Sequence, residues 1–330
     1  MKKLYSLSLL LTCVLSFAQA TDPFLGTGSL NANGWTTHSG TAGQQTIVTG
    51  GSLSYSTMAT SGNRTQIIAG NSEDVNLASQ ADLTGVAYYS ALINVLNTNL
   101  LAPNTDTSGS YFLCTGVTAG TSVTGFNGRI YIRAGATADT FNLGILNGPG
   151  GTATPTIYTT DLPVNTVTFV VVKFDFTSNT ASLFINPSLD GVEGTPAVTN
   201  ATGTSAAPAQ IRSVVIIQTG TTSNTTGNIE IDNVRIGGTW AYVTSSTLGI
   251  NKNSIEGLKM YPNPVSNGTL YITTDANAEK NIAIYDLLGK QVLTTTTTNS
   301  QVNVNNLSAG VYMVKITEEG KTATRKLVIN

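Results

Sequence analysis

The sequence predicts an all-β protein: a large sandwich of antiparallel sheets followed by a small immunoglobulin-like β-sandwich. Short β-branched and aromatic runs recur between clusters of turn residues, which is the pattern of strands joined by turns. Only 10% of the 330 residues are charged, against about 25% in typical soluble domains. No segment after the first twenty residues has the pattern of a long helix, so we expect two all-β domains.

The strands of the large domain are predicted by apolar alternation. The clearest strand is VTFVVVKFDF (residues 167–176), in which Val170, Val172 and Phe174 share one face. The turn cluster TSNT follows, and ASLFIN (residues 181–186) completes a predicted hairpin. Residues 86–95 fit a helix or a strand by periodicity, and their Tyr and Val content favours a strand. Further strands are predicted at residues 128–133, 211–218 and 228–236.

The C-terminal part repeats this pattern on a smaller scale. A small polar stretch predicts a linker at residues 244–257, and apolar alternation resumes near residue 258. About seven short strands in about seventy residues fit a small immunoglobulin-like sandwich. Leu288, Gly289 and Lys290 are expected to form a hairpin turn. The predicted strands are residues 270–273, 281–286, 291–295, 301–304, 310–317 and 322–329.

Residues 1–20 read as a secretory signal peptide. Lys2 and Lys3 precede a short apolar run, and Ala18-Gln19-Ala20 is an A-x-A cleavage site. We therefore expect the large domain to span residues 21–243. Loss of the two lysines lowers the net charge from −2 to −4. No basic stripe is present, so nucleic acid is not an expected partner.

Cys114 is the single cysteine that remains after the predicted cleavage. An intramolecular disulfide is then impossible, although an oxidising compartment would permit one. Cys114 ends an apolar run that begins at Tyr111. We expect it to behave as a small buried hydrophobic residue.

Four motifs occur in order near the C-terminus: YPNPV, IAIYDLLGKQV, NLSAGVYMVKI and RKLVIN, starting at residues 261, 282, 306 and 325. With them, residues 258–330 resemble the C-terminal sorting domain (type A) of the type IX secretion system. The resemblance implies export through the Sec translocon and then the type IX translocon. Sortase cleavage near the linker would follow, with attachment to surface lipopolysaccharide or release from the cell. The sorting-motif residues are Pro262, Asn263, Pro264, Gly289, Gly310, Tyr312, Lys326 and Leu327.

The large domain carries softer motifs: NGWTTHSG, GRIYIRAGATADTFNLGI and IEIDNVRIGGTW, starting at residues 33, 128 and 229. These resemble laminin-G-like or concanavalin-A-like jelly rolls. The resemblance implies an antiparallel jelly roll that recognises a glycan or another extracellular ligand. Trp35 and Trp240 are expected to pack in the sandwich, because large aromatic side chains bury most of their area.

Glu230 and Asp232 are the candidate catalytic residues if the protein is an enzyme. Retaining glycosidases of this architecture carry E-x-D-x-E, or a one-residue-longer variant, on one strand, where alternation aligns the carboxylates. Here Val234 or Arg235 takes the third position, so the same strand offers no acid/base. Another strand could supply it from Asp175 or Glu193.

Other chemistry finds little support. His38 is the single histidine, and no G-x-S-x-G motif accompanies it. The sequence contains no Cys–His metal spacing and no G-x-G-x-x-G or Walker motif. No cofactor is predicted beyond a structural calcium ion, which jelly rolls of this kind often use to bridge their first and last strands. Asp22 and Asp232 are its candidate ligands, although no D-x-D-x-D-G loop is present.

Three functions remain open for an exported protein of this kind. The first is a secreted or cell-surface binding protein whose jelly roll recognises a glycan. The second is a glycoside hydrolase or lyase of the same fold. The third is a structural component of the surface or a biofilm. Fold resemblance alone supports the first, and an incomplete carboxylate pair is the sole support for the second.

Overall fold

A computed structural model describes residues 19–221, 223–246, 255, 257–286, 289–318 and 321–330. These residues fall into two compact units, one ending at residue 246 and the other beginning at residue 255. Residues 1–18 of the predicted signal peptide lie outside the described residues, as does most of the predicted linker. No described helix is long and apolar enough to cross a membrane.

The larger unit is built almost entirely of strands. Its two helical segments are a single 3-10 turn, Leu30–Ala32, and the four-residue helix α1, Trp240–Val243. The strands are β1 Ala20–Asp22, β2 Gly28–Ser29, β3 Thr36–Ser39, β4 Thr46–Val48, β5 Arg64–Ile67, β6 Asp74–Leu83, β7 Val86–Asn97, β8 Ser110–Gly116, β9 Asn127–Ala134, β10 Thr140–Leu146, β11 Thr156–Pro163, β12 Thr168–Asp175, β13 Thr180–Ile185, β14 Val198–Asn200, β15 Ile211–Ile216 and β16 Asn228–Gly237.

Two antiparallel sheets form the sandwich. The nine-stranded sheet has the order β14-β13-β12-β7-β16-β5-β4-β2, with β1 also paired to β16. The seven-stranded sheet has the order β11-β10-β9-β8-β15-β6-β3. Long crossovers place β16 beside β7 and β15 between β6 and β8. This nested antiparallel arrangement confirms the predicted jelly roll.

The main core lies between the two sheets. Alternation sends Ile130 and Ile132 of β9, and Ile229 and Ile231 of β16, into the same buried cluster. Val170, Val172 and Phe174 join them, as their pattern predicted. Trp35 is also buried in this core. Cys114 is fully buried in a smaller cluster, where burial raises the pKa of its thiol.

A second apolar layer covers the outer face of the nine-stranded sheet. Leu53 and Met58, from residues 49–63, pack with Trp240 and Val243 of α1 on the outward side chains of β7, β12 and β13. Trp240 is 6% exposed and meets the ring of Phe184 edge-on, with centroids 4.7 Å apart. The sandwich is therefore three layers thick on this side.

The smaller unit is a sandwich of a three-stranded and a four-stranded antiparallel sheet, which confirms the predicted small β-sandwich. The strands are β17 Lys259–Tyr261, β18 Thr269–Thr273, β19 Lys280–Tyr285, β20 Gln291–Thr297, β21 Gln301–Asn303, β22 Gly310–Glu318 and β23 Lys321–Ile329. The two sheets have the orders β17-β18-β21 and β20-β19-β22-β23. Leu288 of the predicted hairpin lies outside the described residues, but the amide of Gly289 donates to the Asp286 carbonyl, which closes the turn.

A buried ion pair stabilises the smaller unit. Lys280 Nζ lies 3.0 Å from Glu318 Oε1, and the two side chains are 0% and 3% exposed. Thr274 Oγ1 and the Ala278 amide also donate to Glu318 Oε1. Burial opposes ionisation of Glu318, yet hydrogen bonds from Thr274 and Lys280 outweigh it and hold its pKa below the ordinary value.

We predict that Lys280→Met destabilises the smaller unit by about 3–5 kcal/mol, because Glu318 is left buried without its partner. Hydrogen exchange of β19 and β22 in the full chain measures the loss, with β7 and β16 of the larger unit as the internal reference. The double variant Lys280→Met/Glu318→Leu should recover most of the stability. Unchanged exchange in the single variant would contradict a stabilising pair.

Candidate functional site

Glu230 lies on the outer face of β16 but is already engaged. Its Oε1 is 2.5 Å from Arg64 Nε, and its Oε2 accepts a hydrogen bond from Asn94 Nδ2 at 2.9 Å. Arg64 in turn donates to the carbonyl of Gly51. Glu230 is 8% exposed. The arrangement ties three neighbouring strands to residues 49–63, as a structural ion pair does.

Asp232 is fully buried and fixes the same segment. Its Oδ2 accepts hydrogen bonds from Ser52 Oγ and from the Leu53 amide, the latter at 2.7 Å. Its Oδ1 accepts from the Asn233 amide at 2.6 Å. Burial raises the pKa of Asp232 to about 6, against the lowering effect of these donors. A carboxylate with no exposed surface is poorly placed to attack a polysaccharide.

The other candidate carboxylates are also engaged. Glu193 lies 2.7 Å from Lys173 Nζ and accepts a hydrogen bond from the Tyr88 hydroxyl. Asp175 accepts from the amides of Thr177 and Ser178, which closes the β12–β13 turn. Neither is held beside Glu230 by a described hydrogen bond or ion pair.

Asp22 and Asp232 lie on the paired strands β1 and β16, as the calcium hypothesis requires. Asp22 is opposite Val234, and its charge adds to the raised pKa of Asp232. The Phe24 amide and Trp35 Nε1 each donate to Asp22 at 2.6 Å. Burial raises the pKa of Asp22 despite both bonds.

The donor set around these two aspartates does not fit a calcium ion well. Every one of their four carboxylate oxygens accepts a hydrogen bond from a protein N–H or O–H group. Among the described residues, no group of three or more His, Cys, Asp or Glu side chains could hold a metal. Calcium prefers six to eight oxygen ligands. The two aspartates are placed as hydrogen-bond acceptors that hold β1 and residues 49–63 in position.

A cluster of aromatic and basic side chains lies on the outer face of the seven-stranded sheet. Because Ile130 and Ile132 face the core, Arg129 and Tyr131 of β9 point outward. Arg129 lies over the ring of Tyr111 on β8, 5.2 Å from its centroid. The rings of Tyr111 and Tyr131 are 5.5 Å apart and tilted by 49°. We call Tyr111, Arg129 and Tyr131 the tyrosine–arginine face.

Among the described residues, Arg129 has no close acidic partner, although the charge of Asp74 also acts on the Tyr111 hydroxyl. Its Nε donates to the Phe126 carbonyl, while no acidic group in the described part of the chain lies within 4 Å of its guanidinium. All three residues of the tyrosine–arginine face are half-buried. Burial raises the pKa of Tyr111 to about 12, so its hydroxyl stays protonated near neutral pH. The face offers two aromatic rings and a positive charge.

One wall of this face is formed by residues 117–126. Val123 and Phe126 pack on the cluster of Cys114, Val215 and Ile217. The ring of Phe126 lies 6.0 Å from that of His38. Burial lowers the pKa of His38, which favours its neutral form. The wall limits the face on the side of β15.

The sequence predicts residues 128–133 (GRIYIR) as a strand, but it does not indicate the tyrosine–arginine face. The alternation of residues 128–133 does place Arg129 and Tyr131 on one side of a strand. No sequence pattern indicates that Tyr111 of β8 lies beside them, because the β8–β9 register is irregular at this point.

The sorting-motif residues occupy distinct positions in the smaller unit. Leu327 is fully buried in its core, whereas the Lys326 side chain is exposed. The Tyr312 hydroxyl donates to the Ser308 carbonyl at 2.8 Å, near the start of β22 at Gly310. Gly289 has a φ of +83°, which favours glycine. Pro262, Asn263 and Pro264 are exposed and precede the buried Val265.

Residues 259–330 match the family model described as "Secretion system C-terminal sorting domain". The C-terminal unit is a secretion sorting domain. The type IX resemblance of the four motifs is thereby confirmed. The protein is exported, and it is secreted or held at the cell surface.

The chain is similar to a lyase over part of its length. "Ulvan lyase NLR42" from Nonlabens ulvanivorans is 31% identical over 90 residues, which is 26% of this chain and 17% of that protein. The chain therefore matches less than a fifth of that relative's length. The activity in its name belongs to that protein.

Solved structures similar to this chain include a sialidase, at 13% identity and a TM-score of 0.38, covering 66% of this chain and 18% of that one. Lectin II from Ulex europaeus gives 7% identity, a TM-score of 0.35, and coverage of 66% and 97%. The potassium-bound carbohydrate recognition domain of Emp46p is 10% identical, with a TM-score of 0.33, and the match covers 65% of this chain and 94% of that one. Similarity this low carries no functional argument.

We predict that Asp232 makes the larger unit less stable as the pH rises from about 4 to about 6. Its pKa is raised on folding, so the folded state binds more protons than the unfolded state in this window. The rise in the pKa of Asp232 from 3.8 to about 6 corresponds to a loss of about 3 kcal/mol of stability when the carboxylate is fully ionised. Urea midpoints at pH 5 and pH 7.5 should therefore differ between the wild type and Asp232→Asn.

The control for this prediction is Asp139→Asn, at an exposed position with a positive φ that Asn also tolerates. His38 titrates in the same pH range in all three proteins, so the comparison between them isolates Asp232. Equal pH slopes for the wild type and Asp232→Asn would contradict the raised pKa.

Proposed function

We propose that the protein is an exported carbohydrate-binding protein whose jelly roll binds acidic glycans on the tyrosine–arginine face. The observation that carries this proposal is the guanidinium of Arg129, which lies over the Tyr111 ring and beside Tyr131 and forms no ion pair among the described residues. Aromatic rings pack against the apolar faces of sugar rings. A guanidinium recognises carboxylate or sulfate groups through paired, charge-assisted hydrogen bonds.

The contacts of the larger unit favour the tyrosine–arginine face, rather than the nine-stranded sheet, as the binding site. On the nine-stranded sheet, residues 49–63 and α1 cover the outer face, and Glu230 and Asp232 are engaged beneath or beside that cover. A hydrolase would need two accessible carboxyl groups about 5–10 Å apart. Binding without turnover is the function that these contacts favour.

Export would take the larger unit to the place where it binds its ligand. The sorting domain would engage the type IX translocon after passage through the Sec translocon. We propose that a sortase then cleaves near the linker, and that the binding unit is attached to surface lipopolysaccharide or released. Calcium is not required in this proposal, because protein donors satisfy Asp22 and Asp232.

We predict that the purified protein retains acidic oligosaccharides on a glycan array and that Arg129→Gln weakens this binding by about tenfold or more, the effect of one charge-assisted hydrogen bond. Calorimetry measures the affinity, which should also fall as salt is raised. The control is Arg212→Gln, since Arg212 already lies 3.6 Å from Asp82 on the same sheet.

Three outcomes would contradict the binding proposal. Equal losses of affinity in Arg129→Gln and Arg212→Gln would mean that the glycan responds to positive charge in general and not to Arg129. An array without any bound glycan would favour a structural component of the surface or a biofilm. Release of shorter oligosaccharides, abolished by Glu230→Gln, would establish the hydrolase alternative.

We predict that deleting residues 326–330 leaves the protein in the periplasm. The deletion removes Leu327 and Ile329 from the core of the smaller unit, and each such loss costs about 2–5 kcal/mol. Fractionation of a bacterium with a type IX system measures the location. The control is Thr324→Ala, an exposed position on the same strand. Normal surface display of the truncated protein would contradict this role.

A further inference from the structure

The side chain of Asn263 binds the last strand of the sorting domain in the manner of a backbone peptide. Its Nδ2 donates to the Lys326 carbonyl at 2.8 Å, and its Oδ1 accepts from the Val328 amide at 2.9 Å. One amide group thus satisfies a C=O and an N–H two residues apart on one edge of β23. A neighbouring strand would satisfy the same two groups.

Val265 extends this contact to the end of the chain. Its amide donates to the Val328 carbonyl, and its carbonyl accepts from the Asn330 amide, both at 2.9 Å. Val265 and Ile329 form a parallel bridge. The segment YPNPV therefore closes one edge of β23 from Lys326 to Asn330.

The other edge of the same residues pairs with β22. Leu327 lies opposite Tyr312, Val328 opposite Val311 and Ile329 opposite Gly310. Both edges of the terminal segment are consequently hydrogen-bonded. A partner cannot take residues 326–330 as an added strand unless the bonds to Asn263 and Val265 are broken first.

We infer that Asn263 is a positioning residue for sorting, and that the export machinery reads the terminal segment as part of a folded surface rather than as an extended peptide. This inference rests on the sorting function of the domain and is independent of what the larger unit binds. Asn263 and Lys326 are exposed on this surface, while Leu327 and Ile329 anchor it from below.

The chemistry of the contact favours asparagine at this position. Aspartate retains the acceptor for the Val328 amide but places a second oxygen against the Lys326 carbonyl. Alanine loses both bonds. Glutamine has one more methylene, which places its amide group too far from its own backbone to bond to both the Lys326 carbonyl and the Val328 amide. Only a short primary amide offers one donor and one acceptor at this reach.

The test compares two variants of the full chain that lose similar stability for different reasons. Asn263→Ala removes the two side-chain hydrogen bonds to the terminal segment, whereas Ile282→Val removes one methylene from the core, at a comparable cost. Hydrogen exchange of the Val328 and Asn330 amides reports opening of the segment. Cell fractionation reports the surface-exposed share of the protein. Asn281→Ala, on an exposed strand position, controls for the loss of an asparagine side chain.

The expected result is about tenfold faster exchange of the Val328 amide in Asn263→Ala. Surface display of this variant should fall about twofold or more below that of Ile282→Val and Asn281→Ala. Equal display in all three variants would overturn the inference. Unchanged exchange at residue 328 would also overturn it, whether or not export fell, because Asn263 would then not hold the strand.

Discussion

The buried carboxylate of Asp232 holds the segment that covers one outer face of the larger unit. Its hydrogen bonds with Ser52 and Leu53 hold residues 49–63 against the nine-stranded sheet. Leu53 and Met58 can then pack with Trp240 over that sheet. This apolar cover closes one outer face of the sandwich, so the proposed binding surface is the tyrosine–arginine face of the seven-stranded sheet.

The sorting domain uses side-chain hydrogen bonds for a related purpose. A terminal strand with a free edge is open to pairing with other chains, which is a liability for an exported protein. Asn263 and Val265 close this edge with residues from the start of the same domain. Two of the four sorting motifs therefore meet in the folded state, although about sixty residues separate them in the sequence. Their joint presence in the sequence has a physical explanation.

The sandwich could be predicted because polar and apolar residues alternate along its strands. The candidate site could not be predicted, because it depends on contacts between residues far apart in the sequence. Val170 and Val172 of β12, and Ile130 of β9, face the core as their spacing indicates. The burial of Asp232 was not predictable, because it depends on residues 180 positions earlier and on an irregular register at Asn233, whose φ is +50°. The four motifs identified the sorting domain, but no pattern in them indicates that the Asn263 amide replaces a strand.

Hydrogen exchange of the whole protein with and without a saturating acidic oligosaccharide tests the central claim most directly. If the tyrosine–arginine face is the binding surface, the ligand will slow exchange in β8 and β9, around Tyr111 and Tyr131, and leave residues 49–63 unchanged. Slower exchange in residues 49–63 and around Glu230 in β16, with β8 and β9 unaffected, would place the ligand on the nine-stranded sheet and contradict this account.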